Sequence, residues 1–541
     1  MFWFLSFLLL ASTQFRLSSE TASMRPPHVV LIVVDSVGKG DLFASEDKMG
    51  YSTPNLNKLV QVGANFRNYY VQSESSPTRA ALITGRYPFK LGLQDQLVSG
   101  TTAHIPLNVP TLPEMLRSLN NYESHLIGGW NLGGARREYT PTFRGFQSFY
   151  GFLGSHIDYY NKTRDSGYDF WDEIAGKTNY KKADHSANGI YSNYQYRERT
   201  IKILEEYISN HKAVVQQNEN PLFLYLSYQY AHPPIKGHPD HPDKCKRASV
   251  ARKQYCAMMI ELDAAIGELQ EKLEEFGLWE NALIIFSSDS GGLVPFNGFD
   301  MDGYPINPGS VGSNYPLRGS KTTLFEGGIH GTGFVSGGYL APEARGKIYE
   351  GLAHAVDIPV FILNTVLASS ISTKQLSEFQ TQFFRELDGH PIILKEIEET
   401  MRSRSLRVGI ASKRTEIPLN VISSGIDFTA IRFGRWKLLI GATMRYHVGD
   451  GWWPANAEDP PTLPDEKHGI FFRYKLYDMV SDISERHNLA NNLTEVVKDG
   501  RQRIYKIVHS PDYREPQLNI FHPLSWPALH DGAWAPFLDD E

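Results

Sequence analysis

The segment from Ser75 to Arg86 contains the residues best suited to chemistry. It reads SSPTRAALITGR, and Ser75 or Ser76 is placed to cap a helix that has Pro77 in its first turn. The start of such a helix directs a hydroxyl and several free N–H groups toward one spot, which suits an anion. Taken alone, the segment is more simply a well-capped helix without a ligand.

Three polar side chains follow apolar runs that are typical of buried parallel strands. They are Asp35, Asp289 and His232, which follow the runs 28–34, 282–288 and 221–227. Ligands of open α/β sheets bind at the carboxyl ends of the strands. We therefore expect these side chains to converge on one site.

The same segments resemble motifs of the sulfatase family. Residues 75–86 resemble the signature Cys-x-Pro-Ser-Arg followed by Leu-x-Thr-Gly-Arg. Further blocks that resemble family motifs follow in family order: Asp35-Ser36-Val37-Gly38, Gly128-Gly129-Trp130-Asn131-Leu132-Gly133, His232-Pro233-Pro234, Ser288-Asp289-Ser290-Gly291-Gly292 and Leu317-Arg318-Gly319-Ser320-Lys321. The likeness covers nearly the whole chain after residue 28, and the blocks 144–146, 150–152, 158–160 and 277–279 look most like the arylsulfatase B group.

The resemblance implies the role of each site residue. In the family the signature Cys is oxidised to formylglycine, whose hydrate attacks sulfur, while calcium and cationic side chains neutralise the sulfate. The implied catalytic residues are Ser75, Arg79, His232 and Lys321, and the implied calcium ligands are Asp35, Asp289 and Ser290. Arg79 would hold the nucleophile or the metal ligands, whereas His232 and Lys321 would contact the sulfate.

Five positions depart from the family pattern. Ser75 replaces the Cys, Ser36 and Ser290 replace an Asp and an Asn of the metal set, and Gly129 and Asn131 replace a Lys and a His. Calcium affinity rises with the number of carboxylates, so weak binding or an empty site is expected. An unmodified Ser75 could still attack sulfur, but it could not discharge the sulfate by elimination from a hydrate. We expect that restoring position 75 alone is not enough to recover ordinary catalysis, and that the other four family residues are needed as well.

Strands that alternate with helical patterns predict the scaffold of this site. Helical patterns cover residues 55–63, 77–84, 109–119, 196–211 and 251–276, which indicates an α/β, doubly wound, mostly parallel sheet. After about residue 389 short alternating strands such as 429–432 and 436–440 indicate a smaller α+β C-terminal domain. The predicted division is a leader at 1–23, a catalytic domain at 24–388 and a C-terminal domain at 389–541.

Composition places the chain among folded proteins of the secretory pathway. With 541 residues, 41% hydrophobic residues and a net charge of -6 spread along the chain, it has no basic face for nucleic acid. The apolar run from Met1 to Ala11 is typical of a signal peptide and too short to span a bilayer, and no later run predicts a transmembrane segment. A lysosomal or extracellular destination follows, and the sequence does not distinguish the two or give an oligomeric state.

That compartment makes two kinds of modification plausible. The sequons at Asn161 and Asn492 are candidate glycosylation sites. Cys245 and Cys256 either form one local disulfide or remain two buried thiols.

Two functions compete on these observations. The first is an arylsulfatase-type sulfate-ester hydrolase with impaired or altered catalysis, acting on a sulfated sugar or an aryl sulfate. The second is an inactive relative that uses the fold to bind a sulfated glycan or a protein. The family resemblance favours the first, and the five departures favour the second.

Overall fold

The structure is a computed structural model that describes residues 25–43, 49–177, 183–211, 220–237, 244–245, 248–294, 311–370, 386–390, 392, 414–422, 429–441, 451–455 and 474–539. The predicted leader at 1–23 lies outside the described residues. No helix among the described residues is long and apolar enough to cross a membrane.

A nine-stranded sheet forms the centre of the protein. Its strands are ordered β11-β2-β10-β9-β1-β8-β3-β4-β7, and β5 and β6 form a separate hairpin. The bounds are β1 (His28–Val34), β2 (Ala64–Tyr70), β3 (Glu123–Gly129), β4 (Ser148–Phe152), β5 (Thr163–Arg164), β6 (Gly167–Tyr168), β7 (Trp171–Ile174), β8 (Leu222–Tyr228), β9 (Ala282–Ser288), β10 (Gly333–Ser336) and β11 (Lys347–His354). The strands β9, β1, β8, β3 and β4 run parallel, while β10 and β7 are antiparallel to their neighbours. The central strands are buried along their whole length, which explains their unbroken apolar sequences.

Helices cover this sheet in two groups. The bounds are α1 (Pro54–Gln61), α2 (Ser75–Thr84), α3 (Leu112–Asn120), α4 (Ser192–His211), α5 (Lys253–Glu275), α6 (Glu326–Ile329), α7 (Asp357–Ser370) and α8 (Thr494–Val508). The helices α1 and α4 contact α5, whereas α2 and α3 contact α7 and each other, as expected for helices on opposite faces. The five predicted helices are all present, with bounds within four residues of those expected.

A small antiparallel sheet follows the large one along the chain. It contains β12 (Glu416–Leu419), β13 (Thr429–Phe433), β14 (Trp436–Ile440) and β15 (Tyr474–Asp478), in that order, and α8 contacts β13. The predicted fold class, a doubly wound mostly parallel sheet with a smaller C-terminal unit, is confirmed. The boundary between residues 388 and 389 stays a prediction, because residues 371–385 and 393–413 lie outside the described residues.

The chain after α8 returns to the loops and the β5–β6 hairpin that surround the large sheet. This C-terminal segment, residues 509–539, makes backbone hydrogen bonds with residues 89, 92, 100, 135 and 168. Near α5, Cys245 and Cys256 are both buried and are joined by a disulfide that closes a short loop.

A fully buried ion cluster joins the two sheets. Lys437 Nζ of β14 lies 2.9 Å from Glu326 Oε1 and 2.8 Å from Glu485 Oε1, and all three side chains are inaccessible to solvent. Tyr70 of β2 donates its hydroxyl to Glu326 Oε2 at 3.0 Å. Burial raises the pKa of Glu485 to about 7, against the opposing effect of Lys437. One ammonium therefore compensates two carboxylates at the junction of the sheets.

We predict that Lys437→Met lowers the free energy of unfolding by about 3 to 5 kcal/mol, because two buried carboxylates lose their cation. Glu485→Gln should cost less, and adding it to Lys437→Met should restore part of the loss. Equilibrium urea denaturation followed by tryptophan fluorescence measures the effect. Lys202→Met, at a lysine whose side chain is 62% exposed, is the control and should leave the midpoint unchanged. A Lys437→Met protein with the wild-type midpoint would contradict the prediction.

Candidate active site

The sheet register brings two carboxylates together. In the parallel pair β1 and β9, Val34 lies opposite Ser288, so Asp35 and Asp289 follow the strands at neighbouring positions. Both side chains are buried. The carboxyl ends of the parallel strands thus form the site edge that the sequence predicted.

The start of α2 differs from the expectation that a serine caps it. Glu74 is the residue before the helix and makes no side-chain cap hydrogen bond, and Ser75 and Ser76 are its first two residues. Ser76 is held by the loop that follows α2: its N–H donates to Gln96 Oε1 at 3.0 Å, and Leu97 N–H donates to Ser76 Oγ at 3.0 Å. The Ser75 hydroxyl points instead toward Asp35.

Lys321 is the centre of a hydrogen-bonded cluster. Its Nζ donates to Asp35 Oδ1 at 2.8 Å, to Ser36 Oγ at 2.6 Å and to Ser75 Oγ at 2.8 Å. The hydroxyls of Ser36 and Ser75 donate in turn to Asp35 Oδ1, at 2.6 and 3.3 Å. An ammonium has three donors, and all three are used here.

Arg79 holds the two carboxylates. Its Nε donates to Asp289 Oδ2 at 3.0 Å and its Nη2 to Asp35 Oδ2 at 3.2 Å, while Nη1 donates to the Gly129 carbonyl at 2.9 Å. Ser290 Oγ donates to Asp289 Oδ1 at 3.2 Å. The guanidinium therefore contacts the two predicted metal-binding carboxylates, and none of its described hydrogen bonds goes to Ser75.

Electrostatics favour the ionised forms of Asp35 and Lys321. Burial opposes ionisation of Asp35, but Lys321 and Arg79 outweigh it and hold the pKa of Asp35 well below its usual range. Asp35 likewise raises the pKa of Lys321 despite the burial of the ammonium. Burial and the neighbouring charge of Asp35 raise the pKa of Asp289. Two cations thus contact two carboxyl groups within one buried cluster, and Asp35 is the more acidic of the two.

Unusual backbone conformations gather at the same place. Ser36, Asn131, Ala231 and Thr322 all have positive φ, between 54° and 73°. Each of the four is a site position or directly adjoins Asp35, His232 or Lys321. Such conformations cost about 1 to 3 kcal/mol each and concentrate at functional sites.

His232 has a partner that the sequence did not reveal. The His156 ring stacks on the His232 ring with 4.8 Å between centroids. His232 Nδ1 lies 2.6 Å from the Pro233 carbonyl, so Nδ1 carries a proton and the Nε2 of the neutral ring can accept one. Burial lowers the pKa of both rings. The only sequence signal for His156 was its place just after the block at 150–152, which gives no role.

Gly129 and Asn131 stand at the positions where the family has a Lys and a His. A Cβ added at Gly129 would lie 2.7 Å from Phe152 Cζ and 3.2 Å from Arg79 Nη1, so Phe152 fills the space that a longer side chain needs. Asn131 is buried, and its Nδ2 has no hydrogen-bond partner among the described residues. A lysine at 129 would therefore require the Phe152 ring to move, and the expectation that family residues at all five positions are needed for ordinary catalysis stays a prediction.

The described donors fit calcium poorly. Calcium takes about six to eight oxygen ligands with carboxylates prominent among them. Asp35 and Asp289 supply the carboxylates here, and both already bind Arg79, while Lys321 occupies Asp35 Oδ1 as well. No group of three or more His, Cys, Asp or Glu side chains that could hold a metal occurs in the part of the chain that the structure describes. Arg79 and Lys321 are thus the described cationic partners of the two carboxylates.

The remaining predicted positions lie away from this cluster. Asn161 and Asn492 are both exposed, as glycosylation requires. Their modification stays a prediction.

Known proteins resemble this chain in sequence and in fold. The family model described as Sulfatase matches residues 27–367. The chain is 30% identical to arylsulfatase J of Mus musculus, over 98% of this chain and 84% of the relative, and 28% identical to N-acetylgalactosamine-6-sulfatase of Homo sapiens, over 56% of each. A solved sulfatase from Pseudoalteromonas sp. superposes with a TM-score of 0.65 at 22% identity, over 94% of each chain. The protein belongs to the sulfatase family.

Proposed function

We propose that the protein is an arylsulfatase-type sulfate-ester hydrolase that acts slowly on a sulfated sugar or an aryl sulfate. The observation that carries the proposal is the Ser75 hydroxyl, held 2.8 Å from the Lys321 ammonium at the carboxyl ends of the parallel strands. Relatives named arylsulfatase and N-acetylgalactosamine-6-sulfatase support a sulfate ester, including one on an amino sugar, as the substrate.

The proposed chemistry uses Ser75, Lys321 and His232. Ser75 Oγ attacks sulfur and loses its proton, the bond from sulfur to the ester oxygen breaks, and that oxygen takes a proton and leaves as the alcohol. Water then attacks the sulfur of the sulfated serine, which releases sulfate and a proton and restores Ser75. His232 Nε2 is the candidate proton acceptor, and Lys321 donates to the sulfate oxygens once one of its present partners is displaced.

Two departures should slow this reaction. Gly129 offers no cation to the developing charge, and Asn131 offers no acidic proton to the leaving oxygen. The loss of one such donor costs roughly a hundredfold to a thousandfold in rate, and the loss of a general acid roughly a hundredfold to ten-thousandfold. Turnover about four orders of magnitude below that of an intact site is expected, although such losses are not additive.

A second function, an inactive glycan-binding or protein-binding relative, is favoured by one specific observation. Phe152 fills the space beside Gly129, so the position cannot hold a catalytic lysine without repacking. A secretory route, lysosomal or extracellular, is proposed for either function.

We predict that Ser75 is unmodified in protein produced in its native secretory pathway. Mass spectrometry of the tryptic peptide 68–79 should give the mass of the unaltered sequence. The family's oxidation in the secretory pathway acts on Cys, and Ser75 lacks the thiol. A loss of two hydrogens at Ser75 in most molecules would show an aldehyde and overturn the proposal of a serine nucleophile.

We also predict that the protein hydrolyses aryl sulfates and sulfated galactosamine oligosaccharides slowly, and that Lys321→Ala and His232→Ala abolish the activity. Released sulfate measured against no-enzyme blanks gives the rate. Lys202→Ala and His185→Ala are surface controls and should retain it. A wild-type rate equal to the blank would favour the inactive relative, whereas ordinary sulfatase rates would mean that another group replaces the missing Lys and His.

We predict that calcium changes the melting temperature little, because a ligand stabilises a protein only as far as its concentration exceeds the dissociation constant. Melting curves with millimolar calcium and with a chelator should nearly coincide. A large upward shift with calcium that Asp35→Ala or Asp289→Ala removes would instead establish a metal site at the two carboxylates.

A further inference from the structure

The C-terminal segment carries a row of large apolar side chains on its surface. Six of them, each between 40% and 69% exposed, are called the apolar patch: Leu518, Ile520, Phe521, Leu524, Trp526 and Leu529. Single exposed apolar side chains are ordinary in folded proteins. Six of them within a stretch of twelve residues instead mark an interaction surface.

Contacts within the segment show that the patch is one stretch of surface. The Phe521 ring packs edge-on against the Trp526 ring, with 5.8 Å between the centroids. The chain that follows Leu529 turns back, because His530 Nε2 lies 2.7 Å from the Leu524 carbonyl oxygen. The apolar side chains are therefore neighbours in space as well as in sequence.

The fold imposes the exposure of Trp526. Its two neighbours, Ser525 and Pro527, are buried. A Cβ added at Gly100 would lie 2.0 Å from Ser525 Oγ, and one added at Gly167 would lie 2.5 Å from Pro527 Cγ. Ser525 and Pro527 thus pack directly on glycine backbone, which directs the side chain between them outward.

The upstream end of the patch is anchored to the loop that follows α2. Asn519 lies between Leu518 and Ile520. Its Nδ2 donates to the Gln96 carbonyl at 2.6 Å, and its Oδ1 accepts the N–H of Val98 at 3.0 Å. Both ends of the patch are therefore held before any partner binds, which reduces the entropy lost on association.

The charge of the patch favours a second copy of this chain as its partner. Residues 516–530 contain no Asp, Glu, Lys or Arg. In a two-fold dimer the same surface meets itself, so a surface without these charges avoids repulsion between like charges. Binding to a membrane surface is favoured by Lys or Arg beside the apolar side chains, and this stretch offers neither.

The area of the patch favours the same partner. The exposed fractions of its six residues correspond to about 700 Å² of surface, close to the roughly 800 Å² per partner of a standard interface. The largest apolar patch of a typical monomer is about 300 to 600 Å². Trp and Phe are also enriched at the centres of interfaces, from which charged residues are depleted.

We propose that the apolar patch is the contact surface between two copies of this chain, related by a two-fold axis. Trp526 is its energetic anchor, because a preorganised aromatic side chain that becomes fully desolvated contributes most to such interfaces. The proposal goes beyond the proposed function and does not depend on sulfate-ester hydrolysis.

Sedimentation velocity of the full secreted protein tests the proposal. Wild type should sediment with twice the mass of one chain at about 10 μM, because interfaces of this area have dissociation constants of about a micromolar or lower. Trp526→Asp should weaken the dimer at least about thirtyfold. Leu529→Asp is a second variant with the same expected direction, and both should keep the wild-type melting temperature, because the replaced side chains are exposed.

Val250→Asp is the matched control, since Val250 is an exposed apolar residue outside the patch. This variant should form the dimer as wild type does. A wild-type protein that stays monomeric at the same concentration, or a dimer that persists in both patch variants, overturns the proposal. Flotation with phosphatidylcholine vesicles identifies the other occupant: a monomer that binds the vesicles, and loses that binding in Trp526→Asp, would assign the patch to a membrane surface instead.

Discussion

The structure of the site depends on one constraint, the burial of two carboxylates side by side. The parallel pairing of β1 with β9 places Asp35 next to Asp289, and both side chains are buried. Two like charges in a low-dielectric interior require opposite charges nearby. Arg79 from α2 and Lys321 from the loop before α6 supply these positive charges. A single electrostatic requirement therefore fixes three elements relative to each other: the sheet, the helix that contains Ser75, and the loop that contains Lys321.

The departures from the family pattern are consistent with that requirement. The family carries another carboxylate at position 36 and an ammonium at position 129, and this chain has Ser36 and Gly129 there. One negative and one positive charge are therefore lost together, and Arg79 and Lys321 still pair with Asp35 and Asp289. Lys321 can direct all three donors to Asp35, Ser36 and Ser75 because Ser36 presents a hydroxyl rather than a second carboxylate.

Much of this arrangement was predictable from the sequence, and the exceptions have a common cause. Apolar runs that end in Asp35 and Asp289, and a helix that begins near Ser75, gave the strands, the helices and the convergence of the site. Three contacts were not predictable, because each joins segments far apart in the chain or depends on a loop geometry without a periodic signal. They are the contact of Phe152 with Gly129, that of His156 with His232, and that of Lys437 with two glutamates. The N-terminal cap of α2 was misjudged for a related reason, since Ser76 binds the loop that follows α2 rather than its own helix.

The same geometry bears on the two proton transfers of the proposed reaction. A serine nucleophile needs a group that accepts its proton, and a sugar leaving group needs one that donates a proton. Asp35 is a weak base, because its cations lower its pKa, whereas His232 donates from Nδ1 to Pro233 and keeps Nε2 as an acceptor. Burial lowers the pKa of His156 as well, so both imidazoles favour the neutral form at neutral pH. Asn131 cannot donate an acidic proton, so in the proposed reaction the family position of the proton donor offers none to a departing sugar oxygen.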